Sequence, residues 1–545
     1  MLSVKLFSVL SLLLSGVVLS IGCATTSASS KEFTLNLLHT NDVHARLLPI
    51  NAFDQTCDDS EIEKNKCFGG VARRFAKIEA IRKQEKNVLL VDAGDQFQGT
   101  LFYTRYKNEE AKQFMNRLGY AAMALGNHEF DDGPTNLGRF IKGVNFPVLS
   151  ANVDVSQEPS LAGLVKPYTI VTVGGQQVGI IGCTTEETSS ISSPGFNVKF
   201  LPIEASLQKA VDELHEKGIN RIILLSHSGF MRDIEIAKKV SGIDVIVAGH
   251  SNTFLSNTSP VADGPYPFVV SIPGGNPVLI VSAYAYGKYL GYLNVTFNDA
   301  GRVIAYHGEP ILLDGSILED AEVKKEVQAL EVPLEKMRKE VISMLPINLE
   351  GGSLHCRHEE CGLGDVLSDA MFEVAKKYGA KAALMNGGGI RTGLSKGTVT
   401  RWQILDAVPF LNEIVIFDLT GKDLWDLVEF GVQQSDNKVN EGAARFLQVA
   451  GLHYVWSPKK NQTPWVSSLE IQSADGVYEP VLPNKVYRLA ANRFMLIGGD
   501  GFEILVKKTT NVEILSETLD EALIAYLQNG KKNKYQSLGG RIIKK

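Results

Sequence analysis

Short apolar runs of β type alternate with amphipathic stretches through the first half of the chain. This alternation predicts a layered α/β domain, which we place at residues 31–318. The composition changes after Asp314, where apolar residues recur at helical spacing among many charges, at Val323, Val327, Leu330, Leu334, Met337 and Val341. We expect a connecting helix over 319–345, bent or restarted at Pro333. A second mixed α/β domain follows over 346–545.

Length and charge narrow the class of protein. A chain of 545 residues is too long for a single hydrophobic core, so two or more domains are expected. The net charge is −6 and no basic tract occurs, which argues against nucleic-acid binding. An anionic substrate would have to be attracted locally, by metal ions, arginines or backbone amides.

The N-terminus has the pattern of an export signal. Lys5 precedes an apolar stretch from Leu6 to Ile21, which is short for a membrane-spanning helix. Gly22 and Cys23 close the stretch in the manner of a bacterial lipoprotein processing site, with Cys23 as the lipidated residue. Ordinary cleavage to a freely soluble product is the alternative. Residues 1–23 therefore predict an exported protein, periplasmic or at the cell surface.

The cysteines agree with export. Cys57 and Cys67 bracket one polar loop, and Cys356 and Cys361 bracket another. In an oxidising compartment such pairs predict short-loop disulfides. Zinc ligation by the four is the alternative, although their ten- and five-residue spacings do not fit zinc-site patterns. Cys183 lies within an apolar run and is expected to be a buried thiol.

Five apolar runs of the first half each end in residues that can bind metal ions. These residues are His39, Asp42 and His44; Asp92 and Asp95; Asn127 and His128; His227; and His250 with Asn252. In α/β folds the functional crevice lies beyond the carboxyl ends of the strands. Together these residues form a nitrogen and oxygen ligand set suited to zinc, manganese or a similar ion. Two neighbouring ions need a shared ligand, and Asp95 is the candidate bridge.

Several segments resemble the 5'-nucleotidase family of the calcineurin-like metallophosphoesterases. They are His39–His44, Asp92–Gly99, Ala124–Asp131, Gly249–Phe254, Asn386–Arg391 and Gly498–Phe502. The resemblance spans nearly the whole mature chain and is closest to the animal ecto-5'-nucleotidases. It implies an N-terminal four-layer β-sandwich flanked by helices, a connecting helix and a C-terminal α/β substrate-binding domain.

The same resemblance implies roles on the metal side. The implied ligands of two divalent ions are Asp42, His44, Asp95, Asn127, His227 and His250, with zinc expected and manganese or cobalt as alternatives. His128, paired with Asp131, is implied to serve the reaction. Such a histidine lies where negative charge builds up, and the carboxylate favours its charged form. His39 and Glu129 are expected to support the ligands or the fold.

On the substrate side, Asn386–Arg391 is rich in glycine, so its backbone amides could approach an anion, or it could be a tight turn. The resemblance implies phosphate and ribose contacts, aromatic stacking on the base and acceptance of ribose hydroxyls. The residues implied for the phosphate and ribose contacts are Asn252, Arg357, Asn386 and Arg391. Those implied for stacking on the base are Phe410 and Phe494, and Asp500 is implied as the acceptor of the ribose hydroxyls.

The expected function is hydrolysis of nucleoside 5'-monophosphates, AMP above all, by in-line attack of a metal-bound hydroxide on phosphorus. Nucleoside di- or triphosphates and UDP-sugars are alternative substrates for the same chemistry. A nucleotide- or metal-binding protein without turnover is the alternative class, and the intact ligand set argues against it. The sequence does not indicate an oligomeric state.

Overall fold

The computed structural model describes residues 32–545 except 53, 58, 273–274, 434, 436–443, 459–463, 474, 530–538 and the side chains of 353–354. The predicted signal at 1–23, with Cys23, lies outside the described residues. Among the helices in the described ranges, none is both long enough and apolar enough to cross a membrane.

Within the described residues, the first half contains fifteen strands and eight α-helices. The strands are β1 (Phe33–Thr40), β2 (Val88–Asp92), β3 (Ala122–Ala124), β4 (Val148–Leu149), β5 (Val153–Asp154), β6 (Tyr168–Val173), β7 (Gln176–Thr184), β8 (Lys199–Phe200), β9 (Ile222–His227), β10 (Val245–Ala248), β11 (Phe268–Val270), β12 (Val278–Val281), β13 (Tyr289–Phe297), β14 (Val303–Gly308) and β15 (Ile311–Leu312). The helices are α1 (Asp59–Glu63), α2 (Val71–Gln84), α3 (Leu101–Tyr106), α4 (Glu109–Leu118), α5 (Gly133–Gly143), α6 (Thr188–Ile191), α7 (Ile203–Glu216) and α8 (Phe230–Lys239).

Two large sheets of the first half pack face to face. One runs β14-β13-β1-β2-β3-β4 with β15 beside β13, and the other runs β11-β12-β10-β9-β7-β6. Leu37 of β1 and Ile223 of β9 belong to the core between the sheets, whereas Leu38 belongs to the core beneath the outer helices. Successive side chains of a strand point to opposite faces, so a strand buried on both faces is continuously apolar. The predicted four-layer sandwich is confirmed.

The connecting segment is shorter than the helix predicted over 319–345. Helix α9 (Ala321–Glu331) begins at Asp320, whose carboxylate accepts the backbone N–H groups of Glu322 and Val323. A 3₁₀ turn at Val332–Leu334 contains Pro333, and α10 (Glu335–Lys339) follows. Residues 341–345 are a strand instead, because Ile342 and Leu345 turn into the core of the second half and the backbone finds hydrogen-bonding partners there.

The second half is also mixed α/β. Its strands are β16 (Val341–Leu345), β17 (Ala382–Asn386), β18 (Gly397–Thr400), β19 (Glu413–Thr420), β20 (Leu447–Ala450), β21 (Leu452–Trp456), β22 (Val466–Gln472), β23 (Tyr478–Pro480), β24 (Val486–Asn492), β25 (Thr510–Thr518) and β26 (Ile542–Lys544). Its helices are α11 (Ser353–Cys356), α12 (Gly362–Ala375), α13 (Arg401–Ala407), α14 (Gly421–Val432), α15 (Arg493–Leu496), α16 (Glu503–Lys508) and α17 (Leu519–Gln528).

A five-stranded sheet, β20-β17-β24-β19-β25, organises this half. Helices α12 and α17 cover one face, and α14 with the sheet β23-β22-β21-β26 covers the other. Both predicted disulfides are present, Cys57–Cys67 and Cys356–Cys361, and Cys183 is a buried free thiol as expected.

Candidate active site

The five predicted ligand-bearing loops meet at one rim of the first half. Strands β1, β2 and β3 are parallel neighbours in one sheet, and β9 and β10 are parallel neighbours in the other. Their carboxyl ends therefore lie at the same edge of the sandwich. A cavity of about 370 Å³ opens there. His44, Asp95, Asn127 and His250 line it, and His227 lies fully buried behind them.

Asp95 is the centre of the cluster. Its Oδ2 lies 3.1 Å from His227 Nε2 and 3.8 Å from His44 Nε2. Two groups of potential ligand atoms share this residue, one with His44 and His128, the other with His227 and His250. Beside the second group, Asn127 Oδ1 is 3.2 Å from His227 Nε2. Asp95 is therefore the residue common to both groups.

The predicted ligands are oriented by backbone groups. His44 Nδ1 donates to the Phe97 carbonyl at 3.1 Å, and His227 Nδ1 donates to the Ala93 carbonyl at 2.7 Å. Both rings therefore present Nε2 to Asp95, as metal-binding histidines do when the other ring nitrogen is held. The carboxylate of Asp42 accepts the backbone N–H of His250 at 3.0 and 3.1 Å.

The electrostatics of the cluster also fit a bound cation. Burial, together with the nearby Arg391 charge, lowers the pKa of His44 well below its usual value, which keeps the ring neutral and able to ligate. Burial alone would lower the pKa of His227, but the carboxylates of Asp95 and Asp42 raise it to about 10. The negative charge of Asp95 and Asp42 that raises this pKa would also attract a divalent cation.

The backbone of the rim is strained. Asp42, His44, Asp95, His250 and Asn252 have φ angles between 51° and 74°, in the left-handed region that residues other than glycine rarely adopt. Such strain is found where the surrounding structure imposes it, often at functional sites. The carboxylate and amide groups thus reach the cavity from tight turns that immediately follow the strands.

His128 forms a hydrogen bond with the carboxylate of Asp131. Its Nδ1 lies 2.7 Å from Asp131 Oδ2, and Asp131 Oδ1 accepts the Ser192 hydroxyl at 2.7 Å. Burial would lower the pKa of His128, but the charges of Asp131 and Asp95 together outweigh burial and raise it. The ring can therefore carry a positive charge beside the cavity and donate from Nε2.

The substrate-side residues predicted from the sequence line the same cavity. They are Asn252, Arg357, Asn386, Arg391, Phe410, Phe494 and Asp500. Asn386 donates to Asp500 Oδ2 at 2.6 Å and accepts from Asn492 at 2.8 Å, so a chain of amides fixes the Asp500 carboxylate. Arg391 Nη2 lies 3.2 Å from His44 Nε2, which joins the two sides directly.

Both predicted aromatic side chains reach the cavity. The Phe410 ring stacks on the His128 ring with centroids 6.0 Å apart, and the Arg391 guanidinium lies 5.9 Å from the Phe410 centroid. Phe494 lies against the backbone of Gly499, where a Cβ atom would come within 2.5 Å of the ring. Glycine at that position is what allows the ring to lie there.

Two residues expected to have supporting roles lie deep in the fold. Glu129 is fully buried and accepts four backbone N–H groups, those of Gly126, Asp95, Gln96 and Phe97, at 2.7–3.2 Å. It thereby ties the loop of Asp95 to the loop of Asn127. His39 is buried, and its Nε2 lies 2.8 Å from the Tyr266 hydroxyl, away from the cavity lining.

Other cavity residues are not identified by the sequence patterns. Glu187 and the serine-rich residues 190–193 follow β7, and Arg445 precedes β20. Because β7 runs parallel to β9, the rule that places His227 at the rim could also have located the loop after β7. That loop has no histidine or aspartate to draw attention to it. No motif points to Arg445.

Two family models match the chain, one in each half. Residues 35–254 match the family model of the calcineurin-like phosphoesterases, and residues 341–507 match that of the 5'-nucleotidase C-terminal domain. The two-sheet sandwich with ligand-type residues at its strand ends is thus that of a calcineurin-like phosphoesterase. This fold implies divalent metal ions, and the donor set around Asp95 fits them.

Whole-chain relatives specify the family. The chain is 39% identical over 528 residues to a 5'-nucleotidase of Rattus norvegicus, covering 91% of this chain and 90% of that protein. It is 40% identical over 537 residues to a 5'-nucleotidase of Bos taurus, covering 94% and 91%. A crystal structure of a 5'-nucleotidase precursor from Thermus thermophilus matches with a TM-score of 0.88 and 40% identity, over 94% of this chain and 99% of that one. The chain belongs to the 5'-nucleotidase family of phosphoric monoester hydrolases.

Proposed function

We propose that this protein hydrolyses nucleoside 5'-monophosphates, AMP in preference, to the nucleoside and free phosphate. One observation carries the proposal. The cluster around Asp95 and the residues suited to a nucleoside, Phe410, Phe494 and Asp500, line a single cavity. A nucleotide whose phosphate met the cluster would have its ribose and base within reach of the other half.

In this proposal two divalent ions, zinc by preference, are held by residues at the five strand ends. The ligands are Asp42, His44, Asp95, Asn127, His227 and His250, with Asp95 shared. When bound, such ions supply an activated water nucleophile at neutral pH and neutralise phosphoryl oxygens.

The protein's own groups orient the phosphate and stabilise the developing charge. Arg357, Arg391 and Asn252 offer donors around the phosphoryl oxygens, and arginine can contact two such oxygens at once. Because Asp131 holds Nδ1 of His128, Nε2 is the nitrogen left to donate to the substrate. In its charged form it stabilises the transition state or delivers a proton to the leaving oxygen.

The nucleoside side selects for a base on a ribose. Phe410 and Phe494 would stack on the two faces of the base, and a purine offers the larger stacking surface. Asp500, held by Asn386, would accept hydrogen bonds from the ribose hydroxyls. This division of contacts motivates the preference for AMP over small phosphate esters.

We further propose export of the protein, with residues 1–23 as the signal and Cys23 as a lipid attachment site. The first domain spans 31–318, and the second domain begins at 341 rather than at the predicted 346, since β16 pairs with β18. The two disulfides support an oxidising compartment. Expression in a bacterial host tests the anchor. Cys23→Ser should release the protein from the membrane fraction, and an unchanged soluble product would argue for ordinary cleavage.

Phosphate release from AMP, ADP, ATP and UDP-glucose, measured with the purified mature protein, tests the activity. AMP should give the highest kcat/KM. A higher value for ATP or UDP-glucose would replace the monophosphate assignment with a di- or triphosphate or UDP-sugar hydrolase. No release from any of the four, with metal supplied, would leave a binding protein without turnover.

A further inference from the structure

A second contact between the two halves lies beside the cavity. Arg46 stands two residues after His44 on the loop that follows β1, and Asp406 lies near the end of α13. Arg46 Nη1 and Asp406 Oδ2 are 3.0 Å apart, and their side chains are 1% and 2% exposed. A charge from each half is therefore buried in one ion pair, outside the residues that line the cavity.

Neighbouring side chains extend this contact. The Thr56 hydroxyl donates to the same Asp406 oxygen at 2.5 Å and accepts from Trp402 Nε1 at 3.3 Å. The Trp402 ring meets Phe102 edge-on, with centroids 5.7 Å apart. We call this group, Arg46, Thr56 and Phe102 of the first half with Trp402 and Asp406 of the second, the interdomain clasp.

The clasp is close in the chain to the groups that face each other across the cavity. Ala407, the residue after Asp406, accepts the backbone N–H of Arg391 at 2.9 Å, and Phe410 follows three residues later. On the opposite side, the loop of Arg46 carries His44, whose Nε2 contacts Arg391 at 3.2 Å. Moving Asp406 relative to Arg46 would therefore move Arg391 and Phe410 relative to the metal cluster.

The energetics make the pair sensitive to the loss of one partner. The Arg46 guanidinium lies 5.4 Å from the Tyr286 ring centroid, and no aligned hydrogen bond satisfies its nitrogens among the described residues. Its charge is thus compensated mainly by the Asp406 carboxylate. Removing one member of a buried pair leaves an unpaired buried charge, whereas removing both does not.

We propose that Arg46 and Asp406 are positioning residues that hold the substrate-side groups Arg391 and Phe410 in place over the metal cluster. The proposal rests on the proposed nucleotide hydrolysis, because the substrate-side groups matter only if a nucleotide occupies the cavity. It assigns a function to a contact that touches neither the substrate nor the ions.

The nearly isosteric substitution Asp406→Asn is the main test. We expect kcat/KM for AMP to fall about 10- to 100-fold. Hydrolysis of a small aryl phosphate should fall less, because such a substrate lacks the base on which Phe410 would stack, and metal content should match the wild type. The double variant Arg46→Met/Asp406→Asn should recover part of the loss, since no unpaired charge remains. Thr56→Val, a milder change, should give a smaller loss in the same direction.

Asp418→Asn is the matched control, since it weakens an ion pair of 3.1 Å with Arg488 that lies within the second half, between the neighbouring strands β19 and β24. It should leave AMP hydrolysis unchanged. Small-angle X-ray scattering gives a readout independent of activity, and Asp406→Asn should shift the curve toward more separated halves.

Three results would overturn the proposal. The first is an Asp406→Asn variant whose kcat/KM and scattering curve both match the wild type. The second is an equal loss of activity on AMP and on the aryl phosphate, and the third is loss of metal from the variant. If the wild-type protein itself failed to hydrolyse AMP, the proposed function would fall, and the scattering comparison would still decide whether the clasp holds the halves together.

Discussion

The two sides of the cavity are built differently. On the metal side, each ligand-bearing loop directly follows a parallel strand that is buried in the sandwich. On the substrate side, Arg357 caps α11, Arg391 follows a 3₁₀ turn, Phe410 follows α13 and Asp500 lies in another turn. Strand register fixes the first side, whereas side-chain and turn contacts fix the second.

This difference has a functional consequence. A ligand set held by sheet register has little room to adapt, so removing one member should have a large effect on the reaction. A substrate side assembled from turns and helix ends has more alternative conformations. Changes to its base and ribose contacts should alter the use of nucleotides by graded amounts while leaving the chemistry on simple phosphate esters largely intact.

Loss of the shared ligand should have the largest effect. Asp95→Ala removes a bond to both proposed ions, so activity on every substrate should fall by roughly 10³-fold or more, the equivalent of several kcal/mol. Chelation should likewise abolish activity, and zinc, manganese or cobalt should restore it. Asp154→Ala, which alters a carboxylate outside the cavity on the same half, is the control. Full activity in a preparation shown to be free of metal would refute the two-ion proposal.

The second effect separates chemistry from metal binding at His128. His128→Ala should lower kcat by roughly 10²–10⁴-fold, because the group that stabilises the transition state is lost. Elemental analysis should show the same metal content as in the wild type. This measurement is needed because His128 lies within ligand distance of Asp95 and His44. If an ion were lost with the side chain, His128 would be a metal ligand, and the ligand set would contain one more residue than proposed.

The same difference explains how much the sequence could predict. The metal side is visible in the sequence because each loop follows an apolar run, and the endpoints of five such runs identify the candidates. Apart from the glycine-rich segment Asn386–Arg391, the substrate side is found through resemblance, since residues such as Phe410 and Asp500 stand in short motifs without periodicity. The Arg46–Asp406 pair could not be predicted at all. An isolated Arg and an isolated Asp that are 360 residues apart form no sequence pattern that predicts their contact.

One misprediction has a related physical cause. Val341 fits the helical spacing of the connecting segment, and this spacing extends the predicted helix to 345. In the fold, Val341 is exposed while Ile342 and Leu345 are buried. Periodicity over a few residues cannot separate a helix from a short strand, and tertiary pairing with β18 decides between them.

Removal of either aromatic ring should have an intermediate effect, and the effect should be largest on nucleotides. Stacking worth about 1–3 kcal/mol per base predicts a roughly 5- to 150-fold loss of kcat/KM for AMP in Phe410→Ala and in Phe494→Ala. A small aryl phosphate should be hydrolysed at close to the wild-type rate by Phe494→Ala. Phe410 also stacks on His128, so its loss should affect the aryl phosphate more. Equal losses on both substrates in Phe494→Ala would indicate a folding defect instead.

The smallest effect should come from a single methyl group on the substrate side. In Gly499→Ala the new Cβ would lie within 2.5 Å of the Phe494 ring, and since the φ angle of Gly499 is not in the left-handed region, the ring rather than the backbone must yield. We expect KM for AMP to rise about fivefold, the equivalent of about 1 kcal/mol of overpacking. Hydrolysis of the aryl phosphate should not change. Gly264→Ala, whose Cβ would meet Leu255 at 3.3 Å away from the cavity, controls for the added methyl group. An unchanged KM for AMP in Gly499→Ala would mean that AMP binding does not depend on the position of the Phe494 ring. The turn that contains Gly499 would then not determine how the substrate side binds the nucleotide, contrary to the comparison of the two sides.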